Sequence, residues 1–287
     1  MHIDRILFAD LGNPTKIAVA LLAQIPNSTP PIRIYDIAYA VGITDIRVMN
    51  TDAFEGMLVS TDDKRTGMII VRNNIDERCR FTVGHELGHY LNPWHQIPDG
   101  GFTCSSTDMR IRGDPSLATR PKLEAEANEF ATAILMPQKL FCADLKKLVE
   151  PGLDHVIELA RRYKTSKLAT ARRFISLHGD PKAIVLSKDG VFDHCIREQG
   201  FPYITLQKGQ PVDRRSLTAM YAVNVDECSN VESAEPSHWV AHALPKWQEM
   251  FEQVVVQSNG YRITLLSIER REGGDNDERS PRFAYRR

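Results

Sequence analysis

Residues 80–91 read Arg-Phe-Thr-Val-Gly-His-Glu-Leu-Gly-His-Tyr-Leu, and the pentad His85-Glu86-Leu87-Gly88-His89 constrains this chain more than any other stretch. It is the H-E-x-x-H pattern of zinc peptidases. On a helix, residues four apart lie one above the other, so both imidazoles can face one cation. Glu86 projects about 100° further round, outside the ligand row but within reach of a water on the metal. Zinc brings such a water's pKa towards neutral, and a nearby carboxylate can then act as general base. The stretch must therefore be helical. Val83, Leu87 and Tyr90, at i, i+4, i+7 spacing, supply an apolar stripe opposite the histidines. Asn74 or Asp76 is expected to cap the start, and Asn92-Pro93 to stop the helix. Gly84 and Gly88 each cost about 1 kcal/mol relative to alanine, a cost that makes sense where another backbone passes close. The competing reading is a chance match on a surface helix; the periodicity and the apolar flank favour a metal site.

A third protein ligand is needed, and the residues offer two. Glu124 opens Glu124-Ala-Glu-Ala-Asn-Glu-Phe-Ala-Thr-Ala-Ile-Leu-Met-Pro137, where Ala127, Phe130, Ala131, Ile134 and Leu135 form a helical apolar face ending at the proline. Asn128, one turn on, is placed to accept the Nδ1–H of a ligand histidine and fix its tautomer. Glu126 points elsewhere and reads as solvated. The second candidate is His95, at the third-histidine spacing of H-E-x-x-H-x-x-G-x-x-H, with Asn92 in place of the glycine. Otherwise His95 is an exposed loop histidine beside Trp94.

The stretch from about Pro31 to Pro137 resembles the ImmA/IrrE family of zinc metallopeptidases. Three pieces carry the resemblance, in order: Phe54-Glu-Gly-Met-Leu, Arg80-Phe-Thr-Val-Gly-His-Glu-Leu-Gly-His-Tyr, and Glu124-Ala-Glu-Ala-Asn-Glu-Phe-Ala with Leu135-Met-Pro. The resemblance implies Zn2+ on His85, His89 and Glu124, with Glu86 catalytic. It also implies a protein substrate, a helix-turn-helix transcriptional repressor cleaved in response to stress or mobile-element signals. The connection 93–118, rich in Gly, Pro, Ser and Asp, is longer than a simple member needs. It contains Cys104, whose thiolate would reach an open zinc position and hold the enzyme inactive, unless it is an ordinary loop cysteine.

Composition sets wider bounds. The 287 residues suffice for two or three domains. Lys+Arg is 36 against 37 Asp+Glu, so no global charge points to nucleic acid or a membrane. Five scattered cysteines with no C-x-x-C pair read as reduced thiols in the cytoplasm. The apolar run 17–23 follows Asp4 and Asp10 and is too short to span a bilayer, so it is expected to be a packed helix over 14–25.

Along the chain, a helix is expected at 33–42 and strands at 45–50, 54–60 and 66–72. This small sheet offers Met57–Ser60 or Met68–Val71 as an edge for an extended substrate. Helices are expected at 138–149 and, as a helix-turn-helix-like segment, over 150–180 with a turn near Lys164-Thr165-Ser166. Six basic residues and no acidic one fall within 161–173, namely Arg161, Arg162, Lys164, Lys167, Arg172 and Arg173. Phosphate contact and a solvated face compete there, and the turn lacks the usual glycine, which weighs against DNA recognition.

From Pro181 the texture suggests a C-terminal α+β domain over 181–269, with strands at Ala183–Ser187, Tyr203–Gln207 and Tyr261–Ile268. Longer members of the resembling family imply a GAF-like sensor there. His238 and His242, spaced i, i+4, read as a surface or interface helix. The tail 270–287 reads as disordered.

The fold expected is α+β: a zincin-like peptidase domain over 1–149, the helical segment, and the C-terminal domain. The function expected is a cytoplasmic zinc endopeptidase, with no membrane partner. The alternative is a DNA-binding or signal-sensing regulator whose metal site is structural or vestigial.

Overall fold

The computed structural model describes residues 2–97, 101–110, 119–148, 152–221, 225–246 and 248–270. The chain divides into two compact units, Met1–Phe141 with Ala160–Ser166, and Cys142–Leu159 with Lys167–Arg287. Each mixes helices with one small sheet, so the fold class is α+β, as expected.

The first unit opens with α1 (Pro14–Leu22). Asn13 caps it by accepting from the Lys16 amide at 2.9 Å, and Pro14 takes the first helical position, where its missing N–H costs nothing. After α2 (Ile34–Ala40), Gly42 at φ +109° turns the chain into the sheet; a Cβ there would meet the Arg65 carbonyl oxygen at 2.5 Å. Strands β1 (Ile43–Met49), β2 (Gly56–Ser60) and β3 (Gly67–Arg72) precede α3 (Asp76–Leu91), β4 (Phe102–Cys104) and α4 (Thr119–Leu135). The sheet order is β1-β3-β2-β4, with β3 parallel to β1 and antiparallel to β2. On β3, Ile69 and Val71 alternate into the core. Met68–Val71 is therefore an inner strand, not the free edge the sequence offered. The outer edge of β2 is paired antiparallel with β4, Gly56 opposite Cys104 and Leu58 opposite Phe102.

Helix α3 buries Val83, Leu87 and Tyr90 completely, in one core with Ile17, Leu21, Ile37, Leu58 and Ile69. The expected cap is not made: Ile75 precedes the helix with no side-chain cap, and Asn74 Oδ1 accepts from the Ile75 amide instead. Asp76 and Glu77 in the first turn still suit the positive end of the helix dipole. At the other end, Lys64 Nζ donates to the carbonyls of His89 and Asn92 at 2.9 and 2.8 Å, satisfying acceptors the helix leaves open. The interior glycines have a packing reason. A Cβ on Gly88 would stand 2.9 Å from Ala127 Cα, and one on Gly84 3.3 Å from Ala131 Cβ. Small residues on both helices thus let α3 and α4 approach closely, which brings His85 and Glu124 within bonding range.

Helix α5 spans Gln138–Leu145, shorter than the 138–149 expected. Helices α6 (Leu153–Tyr163) and α7 (Lys167–His178) flank the expected turn at 164–166. Within the units, Lys164 pairs with Asp76, Lys167 donates to Asp226, and Arg172 bonds His194, so the basic run is engaged in intramolecular contacts.

The second unit carries β5 (Lys182–Lys188), β6 (Val191–Arg197), α8 (Leu217–Met220), β7 (Glu232–Ala234), β8 (Gln248–Val256) and β9 (Tyr261–Arg270), in the antiparallel order β6-β5-β9-β8-β7. Tyr203–Gln207 is not a strand; a single bridge joins Ile204 to Val240. His238 and His242 lie on no α-helix: Pro236–His238 is one 3-10 turn, and Trp239 fills the core instead. β8 was not legible because its buried face includes Glu252, a polar residue kept inside by accepting from the Thr218 amide at 2.6 Å. Residues 271–287, most of the tail expected to be disordered, lie outside the described residues. Among the described residues, no helix is long and apolar enough to cross a membrane.

Candidate metal centre

The structure brings His85, His89 and Glu124 together. His85 Nε2 lies 3.1 Å from both His89 Nε2 and Glu124 Oε2, and the latter is 3.5 Å from His89 Nε2. All three side chains are buried. α3 supplies the histidines from one face, and α4 supplies Glu124 across the glycine–alanine contact.

Hydrogen bonds behind the histidines set where their protons are. Asn128 Nδ2 donates to the Asp108 carbonyl at 2.8 Å, which fixes the amide and turns its Oδ1 to His85 Nδ1 at 2.9 Å. An amide oxygen only accepts, so His85 carries its proton on Nδ1 and presents a lone pair at Nε2. On the other side, His95 Nε2 stands 2.8 Å from the Glu126 carboxylate, and His95 Nδ1 stands 2.9 Å from His89 Nδ1. The carboxylate accepts from His95 Nε2–H, neutral His95 accepts at Nδ1, and His89 donates Nδ1–H. Its Nε2 is then also a lone pair. Burial keeps both rings neutral, lowering His95 and holding His89 near 3.

Two lone pairs and a carboxylate oxygen thus converge with no hydrogen between them. A tetrahedron built with usual zinc–nitrogen and zinc–oxygen distances has edges of about 3.3 Å, matching the 3.1–3.5 Å spacings here. Cys104 joins the group: its Sγ lies 3.7 Å from His89 Nε2, and the four ligand atoms fall within 4.8 Å of one another. The donor set of nitrogen, carboxylate and sulfur fits a divalent transition metal, zinc foremost among them.

Glu86 sits beside the cluster without joining it. Both of its carboxylate oxygens are buried and have no partner in ordinary hydrogen-bond geometry among the described residues. Burial pushes its carboxyl up to about 7. The backbone of Gly56 lies against it, and a Cβ there would meet Glu86 Oε1 at 2.2 Å. The Tyr90 hydroxyl accepts from Arg5 Nη1 at 3.1 Å, on the core side of the helix.

Two sequence readings need correction. His95 is 1 % exposed, not an exposed loop residue, and it meets the cluster through His89 rather than presenting a nitrogen to it. Glu126 is not solvated away from the site; it anchors His95. The contact of Gly56 with Glu86 was missed, although Gly56 stands in the quoted Phe54-Glu-Gly motif. A strand glycine whose partner is 30 residues away gives no local sign of that partner.

A comparison with curated proteins gave no match. Residues 42–174 match the model of the family Peptidase_M78, described as the IrrE N-terminal-like domain. The matched span contains the four converging residues, Glu86 and the His95–Glu126 pair. Residues 42–174 of the chain are thus an IrrE N-terminal-like domain of the Peptidase_M78 family.

Proposed function

We propose that the chain is a zinc-dependent endopeptidase acting in the cytoplasm on a helix-turn-helix transcriptional repressor. The observation that carries the reading is the convergence of three unprotonated acceptors, on His85, His89 and Glu124, beside the buried carboxylate of Glu86. When bound, the cation supplies Lewis acidity to the scissile carbonyl and to the attacking water. Glu86 takes the proton of that water and passes it to the leaving amine. Its raised pKa suits both acts, since a group near 7 can accept and donate at neutral pH. Asn128 and His95 hold the ligand histidines in the tautomer that keeps both Nε2 atoms free. The free state of all five cysteines agrees with a reducing compartment. The unit with the five-stranded sheet supplies none of these residues, and we assign it a regulatory role.

The test is metal per chain in the purified protein, beside Glu124→Ala, His95→Ala and Glu86→Gln. Near-stoichiometric zinc in the wild type and Glu86→Gln, lost in Glu124→Ala and retained more weakly in His95→Ala, is expected, with repressor cleavage abolished in Glu86→Gln. Zinc retained in Glu124→Ala and lost outright in His95→Ala would overturn the ligand set. Cleavage undiminished in Glu86→Gln would overturn the mechanism.

A further inference from the structure

A peptidase needs an open position on its metal and an open strand edge for its substrate, and here one segment stands at both. Resting on the peptidase reading above, we propose that Cys104 is a fourth metal ligand and that β4 is a built-in plug, so the described conformation is the latent form. Cys104 is fully buried, with Sγ 3.7 Å from His89 Nε2. A tetrahedral site with usual zinc–sulfur and zinc–nitrogen distances has sulfur–nitrogen edges of about 3.6 Å. Three protein ligands with one open position mark catalytic zinc, and four mark closed, structural zinc. The other three atoms already stand 3.1–3.5 Å apart while the four together span 4.8 Å, so Sγ moves in by about an ångström to ligate, and with Cys104 in place the site is of the closed kind.

The backbone makes the same point independently. The face of β2 meets the general base at Gly56, and the strand position paired with Gly56 across its outer edge is Cys104. An extended peptide laid antiparallel along that edge would pass directly over the reacting atoms. β4 already holds the edge over Gly56–Leu58, and the Glu55 amide donates to the Cys104 carbonyl at 2.9 Å. Neighbouring contacts secure it. The Phe102 ring lies 4.5 Å from the His89 ring, and Arg120 on α4 donates to the Thr103 carbonyl at 2.9 Å. A three-residue strand with one paired edge is a small structure to displace. On ligating, the thiol loses its proton to solvent, as coordinated thiols do; on leaving, the thiolate takes one back. No redox partner is required.

Cobalt substitution of the full-length protein reads this directly. A thiolate on Co2+ gives a sulfur-to-metal charge-transfer band in the near ultraviolet. The band is expected in the wild type and absent in Cys104→Ser at equal cobalt content. In the zinc-loaded proteins, cleavage of a fluorescent unstructured peptide is expected to rise at least tenfold in Cys104→Ser. Alkylation of Cys104, read by mass spectrometry, is expected only after chelation. Stoichiometric cobalt with no thiolate band in the wild type overturns the plug and leaves the peptidase reading standing. A thiolate band with no gain of cleavage in Cys104→Ser, where Thr103→Pro, which breaks β4 pairing, also gives none, overturns the inhibitory role. No metal uptake at all overturns both readings.

Discussion

The Nδ1 atoms of His89 and His95 stand 2.9 Å apart, and that distance decides the role of His95. Two imidazole nitrogens at this spacing share one proton. The Glu126 carboxylate on the far side of His95 determines that the proton belongs to His89. On the proposed reading His95 is a positioning residue, whose contact with His89 sets that ring's tautomer. Losing such an outer partner typically costs 10–100-fold in metal affinity. His95→Phe, which fills the space without accepting, is expected to weaken zinc binding by about that factor, and Glu126→Gln by less. Competition against a chromophoric chelator measures both. Affinity unchanged in His95→Phe would show that the pair does not orient His89.

Gly56 is expected to be intolerant for a chemical reason more than a conformational one. A methyl group there meets Glu86 Oε1 at 2.2 Å and Thr82 Cγ2 at 2.6 Å. The carboxylate is the more movable neighbour, so Gly56→Ala is expected to displace it. Zinc content should hold while cleavage falls by about 10²-fold or more, the usual contribution of a general base. Metal content and turnover measured on one preparation separate this from unfolding.

The two glycines of α3 should respond differently to alanine. At Gly88 the new Cβ lies 2.9 Å from Ala127 Cα and 3.2 Å from its carbonyl, backbone that cannot give way. Overpacking of this kind costs about 1–3 kcal/mol, more than the helix propensity gained, about 1 kcal/mol. At Gly84 the nearest atom is the Ala131 Cβ at 3.3 Å, tight but not overlapping. Chemical denaturation should therefore show Gly88→Ala destabilised and Gly84→Ala close to neutral. Equal losses at both would contradict the packing of α3 on α4.

On the proposed reading, removing the metal would leave buried lone pairs and a carboxylate facing one another. A ligand at 1,000 times its dissociation constant stabilises the folded state by about 4 kcal/mol. Chelation of the zinc-loaded protein is thus expected to lower its melting temperature by several degrees, with recovery on adding zinc. A melting curve indifferent to chelator would mean that the cluster binds no metal in the folded protein.

Legibility in the sequence followed the range of the interaction involved. α1 and α3 were readable because Asn13, Pro14 and the Val83–Leu87–Tyr90 stripe act within a few residues of themselves. β8 was not, because Glu252 becomes acceptable inside a strand only once Thr218 is folded against it. Tyr203–Gln207 had strand composition but found only one bridging partner, and composition does not supply a neighbour.

What the sequence determined by itself is the histidine face of α3. The i, i+4 spacing of His85 and His89 is a property of any helix, and the apolar stripe requires that helix to be packed. Tertiary structure decided the rest. Whether Glu124 or His95 converges with the Nε2 atoms of His85 and His89 depended on how closely α4 approaches α3, a matter of Gly84 and Gly88 facing Ala131 and Ala127. Whether Cys104 is a loop thiol or a neighbour of the site depended on β4 pairing with β2. These contacts join residues tens of positions apart, and only the folded chain fixes distances between them.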